Sequence, residues 1–274
     1  MLGKKKIGVA LGGGGARGLA HIGVLQVLES LGLEISGISG CSMGAVIGAF
    51  YCSGITLKEI ESYMGSLDWR SFLLFTDFSF SRRGLANGNR VEEVLRNFLG
   101  SKTFNDCIKQ FCCVAVDIVT GKKVLLNSGS LVEAARASLS IPGLFSPVIR
   151  GQTMLVDGGI IEPLPTEVIK TLKVNFVIAS SMLFENKEEI YRESLYKTIK
   201  RNKSISAISV IDRSFNIMEV ELSRNYLNNV NILIESKIRD YSFLDFTKGK
   251  EIIECGRIAA EKKIPEIRKK LGLK

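Results

Sequence analysis

A single histidine, His21, is all this chain has, and it precedes the serine that most resembles a nucleophile. That scarcity excludes the order of α/β-hydrolases, in which the serine comes first and the histidine last. The six cysteines, Cys41, Cys52, Cys107, Cys112, Cys113 and Cys255, show no C-x-x-C spacing and no nearby histidine to complete a zinc site. They read as buried free thiols of a reducing compartment. No window reaches the roughly 18 uncharged apolar residues of a membrane span. No Pro/Ser linker, low-complexity tract or internal repeat divides the 274 residues, so one domain over 1–274 is expected, large enough to bury a core without disulfides or metals. Lys4-Lys5-Lys6 precedes only the short apolar run Ile7 to Leu11, which is too brief for a secretory signal. The mature start is therefore expected at Met1 and the location in the cytoplasm, with peripheral membrane contact left open.

Positive charge, by contrast, is in excess. A net charge of +9 with a pI near 9.2 favours anionic surfaces, whether phospholipid, nucleic acid or an acidic substrate, without choosing among them. No nucleic-acid-binding module accompanies the charge, so no nucleic-acid partner is expected.

The hydrophobic pattern alternates strand and helix. Residues 7–11 read as a buried strand, 12–15 as a loop, and 16–31 as a helix with Leu19, Ile22, Leu25 and Leu28 at helical spacing. A strand over 35–39 feeds a turn and a helix over 45–52 that Gly54 ends. Strands follow at 112–118 and 123–127, a helix at 132–139, and a hairpin pairing 148–149 with 154–156. Beyond Pro165 come a helix to Leu172, a strand at 176–179, and a largely helical remainder broken by a strand at 230–234. Short apolar strands separated by helices indicate a mostly parallel sheet covered on both faces.

Four segments carry the chemistry. Gly40-Cys41-Ser42-Met43-Gly44 is a G-x-S-x-G elbow, in which a sharp strand-to-helix turn lifts the serine hydroxyl into the open. With no histidine after it, another base must activate Ser42, and Asp157 of Val156-Asp157-Gly158-Gly159 is the candidate. Cys41 is a minor alternative nucleophile, although neighbours of an elbow serine point back into the sheet. Gly13-Gly14-Gly15-Ala16-Arg17-Gly18 fits the dinucleotide fingerprint G-x-G-x-x-G. That fingerprint also needs an acid at the end of the second strand, whereas Glu34 precedes it and the serine elbow stands at its end. The same glycine backbone suits an oxyanion hole at a helix N-terminus, and a plain packing turn is the third reading.

In order and spacing, the segments Gly12 to Gly18, Gly40 to Gly44, Ala137-Ser138-Leu139-Ser140-Ile141-Pro142 and Asp157-Gly158-Gly159 resemble the bacterial patatin-like phospholipases. The resemblance covers roughly 6–172, the catalytic core, with a mostly helical part over 173–274. It implies a three-layer α/β/α lipid acyl hydrolase with a Ser-Asp dyad and neither a catalytic histidine nor a cofactor or required metal. By matching positions, it implies Ser42 as nucleophile, Asp157 as its base, and the Gly13, Gly14 and Gly15 backbone with Arg17 as the oxyanion region. Phospholipid or another lipid ester would be the substrate partner.

Each residue also has a plainer reading. Asp157-Gly158 alone is an ordinary hairpin turn. His21 falls four positions after Arg17 on one helix face and is expected to bond beneath the glycine loop rather than to act on substrate. Arg17 is expected to brace that loop while backbone amides contact substrate. The stretch Ser71 to Arg83, with four phenylalanines beside two arginines, is either a lipid-facing lid or core packing. Lys197, Lys200, Arg201 and Lys203 form a solvated helix face or a membrane-facing patch.

Overall fold

The computed structural model describes residues 5–64, 88–182, 207–238 and 241–273, so the stretch 71–83 and the 197–203 cluster lie outside the described residues. Apolar runs form the strands β1 (Ile7–Leu11), β2 (Ile35–Cys41), β3 (Gln110–Asp117), β4 (Lys122–Leu126), β5 (Val148–Arg150), β6 (Thr153–Asp157), β7 (Phe176–Ser181) and β8 (Ile232–Glu235). They make one sheet in the order β5-β6-β3-β2-β1-β7-β8, with β4 paired to β3. From β3 through β2, β1 and β7 to β8 every pair is parallel. Only β4, β5 and β6 enter antiparallel.

Helices α1 (Ala20–Ser30), α2 (Met43–Cys52), α3 (Leu57–Met64), α4 (Asn89–Leu99), α5 (Leu131–Ser138), α6 (Ala207–Arg224) and α7 (Gly249–Leu271) cover this sheet. Period-two alternation divides the strands between two cores. Val9, Leu11, Phe176, Ile178, Ile232 and Ile234 join the larger one, with Leu25 of α1, Ile47 of α2 and Ile253 of α7. Ala10, Val177 and Ala179 face the other side, where Leu164, Ile169 and Leu227 close over them. The result is the expected three-layer α/β/α arrangement with a mostly parallel sheet.

Two elements differ from the sequence reading. The helix expected over 16–31 opens as a 3-10 turn, Gly15–Leu19, because Gly14 (φ 147°) and Gly15 (φ 57°) turn the chain sharply and Ala16 N–H is drawn to Phe243 O at 2.8 Å. The helix expected after Pro165 is only a 3-10 segment, Val168–Leu172. Glu162 caps its start by accepting the Glu167 and Val168 N–H groups, and Lys173 at φ 54° ends it.

One feature of the pairing decides where the chemistry sits. β2 runs along the first part of β3 and stops with Cys41 opposite Val114. β6 comes along the second part from the other direction and stops with Asp157 opposite Ala115. Since β4 occupies the far edge of β3 at both positions, β2 and β6 share an edge and meet end to end.

Candidate active site

Ser42 lies just past the end of β2 with φ 53° and ψ −123°, in left-handed backbone that a residue bearing a Cβ adopts only under strain. Its own N–H donates to Ser138 Oγ at 3.0 Å, and Ser138 Oγ donates in turn to Val114 O at 2.7 Å. Asp157, at the end of β6, donates its N–H to Ser140 O at 3.0 Å. Ser140 is itself fixed by its hydroxyl, which accepts from Arg136 Nη1 at 2.6 Å and donates to Arg136 O at 2.9 Å. The segment 137–142 therefore brackets both residues from one side. It is a bracing arrangement.

Asp157 is buried, and burial pushes its carboxyl up to about 6. The Ser42 hydroxyl, the Gly159 amide and the Cys41 thiol pull in the opposite direction. Oδ1 accepts from Gly159 N–H at 2.8 Å and from Cys41 Sγ at 3.7 Å. Oδ2 has no donor in hydrogen-bond geometry among the described residues. The Ser42 hydroxyl is thus near enough to favour the ionised form without making a well-directed bond.

The glycine loop divides its amides unequally. Gly12 N–H donates to Ser180 O at 3.0 Å and Gly13 N–H to Pro163 O at 2.9 Å. Those of Gly14 and Gly15, at the start of the 3-10 turn where no intrahelical acceptor exists, have no acceptor among the described residues, and both glycines line the cleft. Of the three glycines expected to serve as donors, Gly13 is already engaged elsewhere. Arg17 is buried and its Nε donates to Gly14 O at 3.2 Å, so its side chain braces the loop.

His21 is buried behind the loop, not in the cleft. Its Nε2 lies 2.8 Å from Gly12 O, and a carbonyl can only accept, so Nε2 carries the proton. Nδ1 then accepts from Ser180 Oγ, also at 2.8 Å. Burial lowers the imidazole to about 4, with the Gly12 bond pulling it back up. Cys41 is fully buried as well; burial first, then the charges of Asp157, Glu219 and Glu162, drive its thiol up, which opposes a thiolate nucleophile. All six cysteines are free, four of them buried, with Cys107 and Cys255 half-buried.

A narrow cleft opens in front of Ser42. Ile141, Phe215 and Phe243 give it apolar walls, while Asn216 and Glu219 bring polar groups from α6. None of the α6 residues was singled out by the sequence, because their spacing reads as an ordinary amphipathic helix. Glu34 sits at the entry of β2, the opposite end from the glycine loop, so it cannot supply the ribose-binding acid that the dinucleotide fingerprint places at the end of the second strand.

The family model described as patatin-like phospholipase matches residues 9–169, a span that holds both Ser42 and Asp157. The chain belongs to that family. An uncharacterized NTE family protein of Mycobacterium bovis is 38% identical over 177 residues, covering 65% of this chain and 49% of that protein. Lysophospholipase NTE1 of Phaeosphaeria nodorum is 28% identical over 272 residues, covering 92% of this chain and 18% of that protein. The chain thus spans half or less of the length of these relatives. Human GIVD cytosolic phospholipase A2 shares the fold, with a TM-score of 0.52 at 10% identity over 98% of this chain and 60% of that one. Among the described residues, no helix is long and apolar enough to cross a membrane.

Proposed function

We propose that the chain is a serine lipid acyl hydrolase of phospholipase A, lysophospholipase or esterase type, working through a Ser42-Asp157 dyad. The end-to-end meeting of β2 and β6 on β3 carries this reading, because it brings an elbow hydroxyl and a buried carboxylate, far apart in sequence, to one cleft. Membership of the patatin-like phospholipase family and the likeness to a protein named lysophospholipase support a lipid ester as substrate.

In the reaction, Asp157 takes the Ser42 proton as Oγ attacks the ester carbonyl. The Gly14 and Gly15 amides receive the oxyanion, a contribution worth about 3–4 kcal/mol per donor in other acyl-transfer sites. Collapse expels the alcohol, which takes the proton from Asp157. Water then attacks the acyl-Ser42 ester, Asp157 accepts its proton and passes it to Ser42 Oγ as the fatty acid leaves. Arg17 acts through the loop it braces. Ile141, Phe215 and Phe243 offer apolar contact to an acyl chain, and contact with an anionic membrane fits the positive net charge.

A fluorophosphonate probe is expected to label the purified protein at Ser42, with hydrolysis of a soluble ester lost in proportion. Labelling absent, or located elsewhere, in a protein that turns over ester would defeat the reading.

The base must be ionised to act, and its carboxyl is raised to about 6. Activity is therefore expected to fall as pH drops through about 6, not through the range near 4 of an unperturbed carboxylate. A kcat/KM profile on an uncharged ester measures this directly. An acid limb centred near 4 would contradict the buried-base account.

A further inference from the structure

The β3-β4 and β5-β6 hairpins end in apolar side chains that stand in solvent. Ile118, Val119 and Ile149 are 47%, 64% and 71% exposed. Strand pairing sets them together. Asp117 opposes Leu155 of β6, Ile118 N–H continues the ladder by donating to Met154 O at 2.9 Å, and Met154 opposes Ile149 of β5. Residues directly opposite in antiparallel strands share a face, so Ile118, Met154 and Ile149 form one row across three strands. Leu155 enters the larger core, so this row faces away from it. Asp117 fixes the turn beside the row, accepting from Met154 N–H at 3.0 Å, Val119 N–H at 3.2 Å and Thr120 Oγ1 at 2.8 Å.

The row lies at the end of the sheet where the cleft opens. Gly14, Gly15 and Ser42 line the cleft from just past the C-terminal ends of β1 and β2, and β3 runs in the same direction. Asp157 opposes Ala115, three positions before Ile118, so the row projects about 10 Å beyond Asp157 at the usual rise of a strand. Cations border it. Lys122 opposes Asp117 at the start of β4, and Arg150 opposes Thr153 at the end of β5. Both are exposed, and neither has an ion-pair partner among the described residues. Alternation sends both to the face opposite the isoleucines, so the tips are apolar on one side and basic on the other. The acids nearby are engaged or set back: Glu162 is tied to Lys123 Nζ at 2.6 Å, Asp117 to its turn, and Glu133 lines a hollow on the Arg150 side without pairing to it.

We propose that these two hairpin tips are a lipid-docking surface, seating Ile118, Val119 and Ile149 among the acyl chains of an anionic bilayer while Lys122 and Arg150 meet its phosphate head groups. The inference deepens the lipid-ester reading above and rests on it for the nature of the partner. Exposed isoleucines beside unpaired cations match an anionic lipid interface, where apolar groups leave water and long basic side chains reach the head groups. Docking there holds the cleft end of the sheet against the surface in which a lipid ester lies.

The test is co-sedimentation of the full chain with phosphatidylcholine vesicles, with and without phosphatidylglycerol, made from ether-linked lipids that an ester hydrolase does not cleave. The wild type is expected to bind the phosphatidylglycerol vesicles more tightly, and less so at high salt. Ile118→Ser/Ile149→Ser is expected to lower that partitioning by about ten-fold or more. Lys122→Glu/Arg150→Glu is expected to lose the preference for anionic vesicles, each cation near the surface contributing about five-fold. Ile108 is the control: it is also 71% exposed but precedes β3, at the other end of the sheet, so Ile108→Ser is expected to bind as the wild type does. All of these variants are expected to hydrolyse a soluble short-chain ester at the wild-type rate.

The proposal is overturned if the wild type binds neither vesicle, if the isoleucine variant binds like the wild type, if the charge variant keeps its preference, or if Ile108→Ser loses as much. A wild-type dimer in sedimentation velocity that the isoleucine variant splits, with vesicle binding unchanged, would make the tips a contact between copies and overturn it too. Thermal melts check folding; should the double isoleucine variant not fold, Ile149→Ser decides, an unmoved partition counting against the proposal. Failure of the dyad reading looks different: Ser42→Ala would keep wild-type ester turnover, while vesicle binding would still depend on the hairpin tips.

Discussion

Ser42→Ala is expected to reduce ester hydrolysis by about 10⁴-fold or more, to the level of residual binding and oxyanion stabilisation without a nucleophile. The neighbouring Cys41→Ala is expected to stay within several-fold of wild type. The contrast follows from the elbow: the strained turn at Ser42 lifts its hydroxyl into the cleft, while Cys41 ends β2 fully buried with its thiol beneath the site. Removing that thiol takes one weak 3.7 Å contact from Asp157 Oδ1, which keeps its 2.8 Å bond from Gly159 N–H. Initial rates on a short-chain ester, with thermal melts and circular dichroism to correct for folded fraction, measure both. Comparable losses from the two variants would show that the site depends on the packing of the strand end rather than on an attacking hydroxyl.

Asp157→Asn is expected to lower kcat by about 10²-fold or more, the ordinary loss when a general base is removed. Stability moves in the opposite sense. The folded protein holds the Asp157 proton up to about 6 against a reference of 3.8, so its stabilising contribution is complete below 3.8 and is lost as pH rises to about 6. At neutral pH the buried charge is a liability, and Asp157→Asn is expected to keep or raise Tm. His21 has the reverse linkage. Its imidazole is depressed from 6.5 to about 4, so its contribution is complete above 6.5 and is lost as pH falls toward 4. His21→Gln is therefore expected to retain substantial turnover in the folded fraction, to lower Tm at neutral pH, and to flatten the decline of Tm in acid. Kinetics and melts across pH 4 to 8 decide between the two residues. A folded but inactive His21→Gln beside an active Asp157→Asn would make His21 the base.

Much of this site is legible in the sequence because its signals are local. A run of glycines after an apolar strand, a G-x-S-x-G elbow and an Asp-Gly-Gly turn each record a backbone conformation that few other residues adopt, and conformation at that scale is fixed by neighbours in the chain. The lone histidine standing ahead of Ser42 likewise excluded the hydrolase triad order without any structure. Short apolar runs separated by helical patterns marked the strands and hence a mostly parallel sheet.

What the chain order does not encode is which distant groups finish next to one another. Strand pairing made β2 and β6 neighbours along one edge of β3, and so turned Ser42 and Asp157 into a pair. It also committed Gly13 N–H to Pro163, left the Gly14 and Gly15 N–H groups without an acceptor among the described residues, and seated His21 between Gly12 and Ser180. Glu219 is the extreme case. On a helical wheel it is one more polar position of an amphipathic helix, and only the seating of α6 over the cleft makes it part of the lining that also holds Ser42 and Asp157. Local sterics wrote the motifs into the sequence; burial and long-range hydrogen bonding, which depend on the whole sheet being assembled, decided what each motif faces.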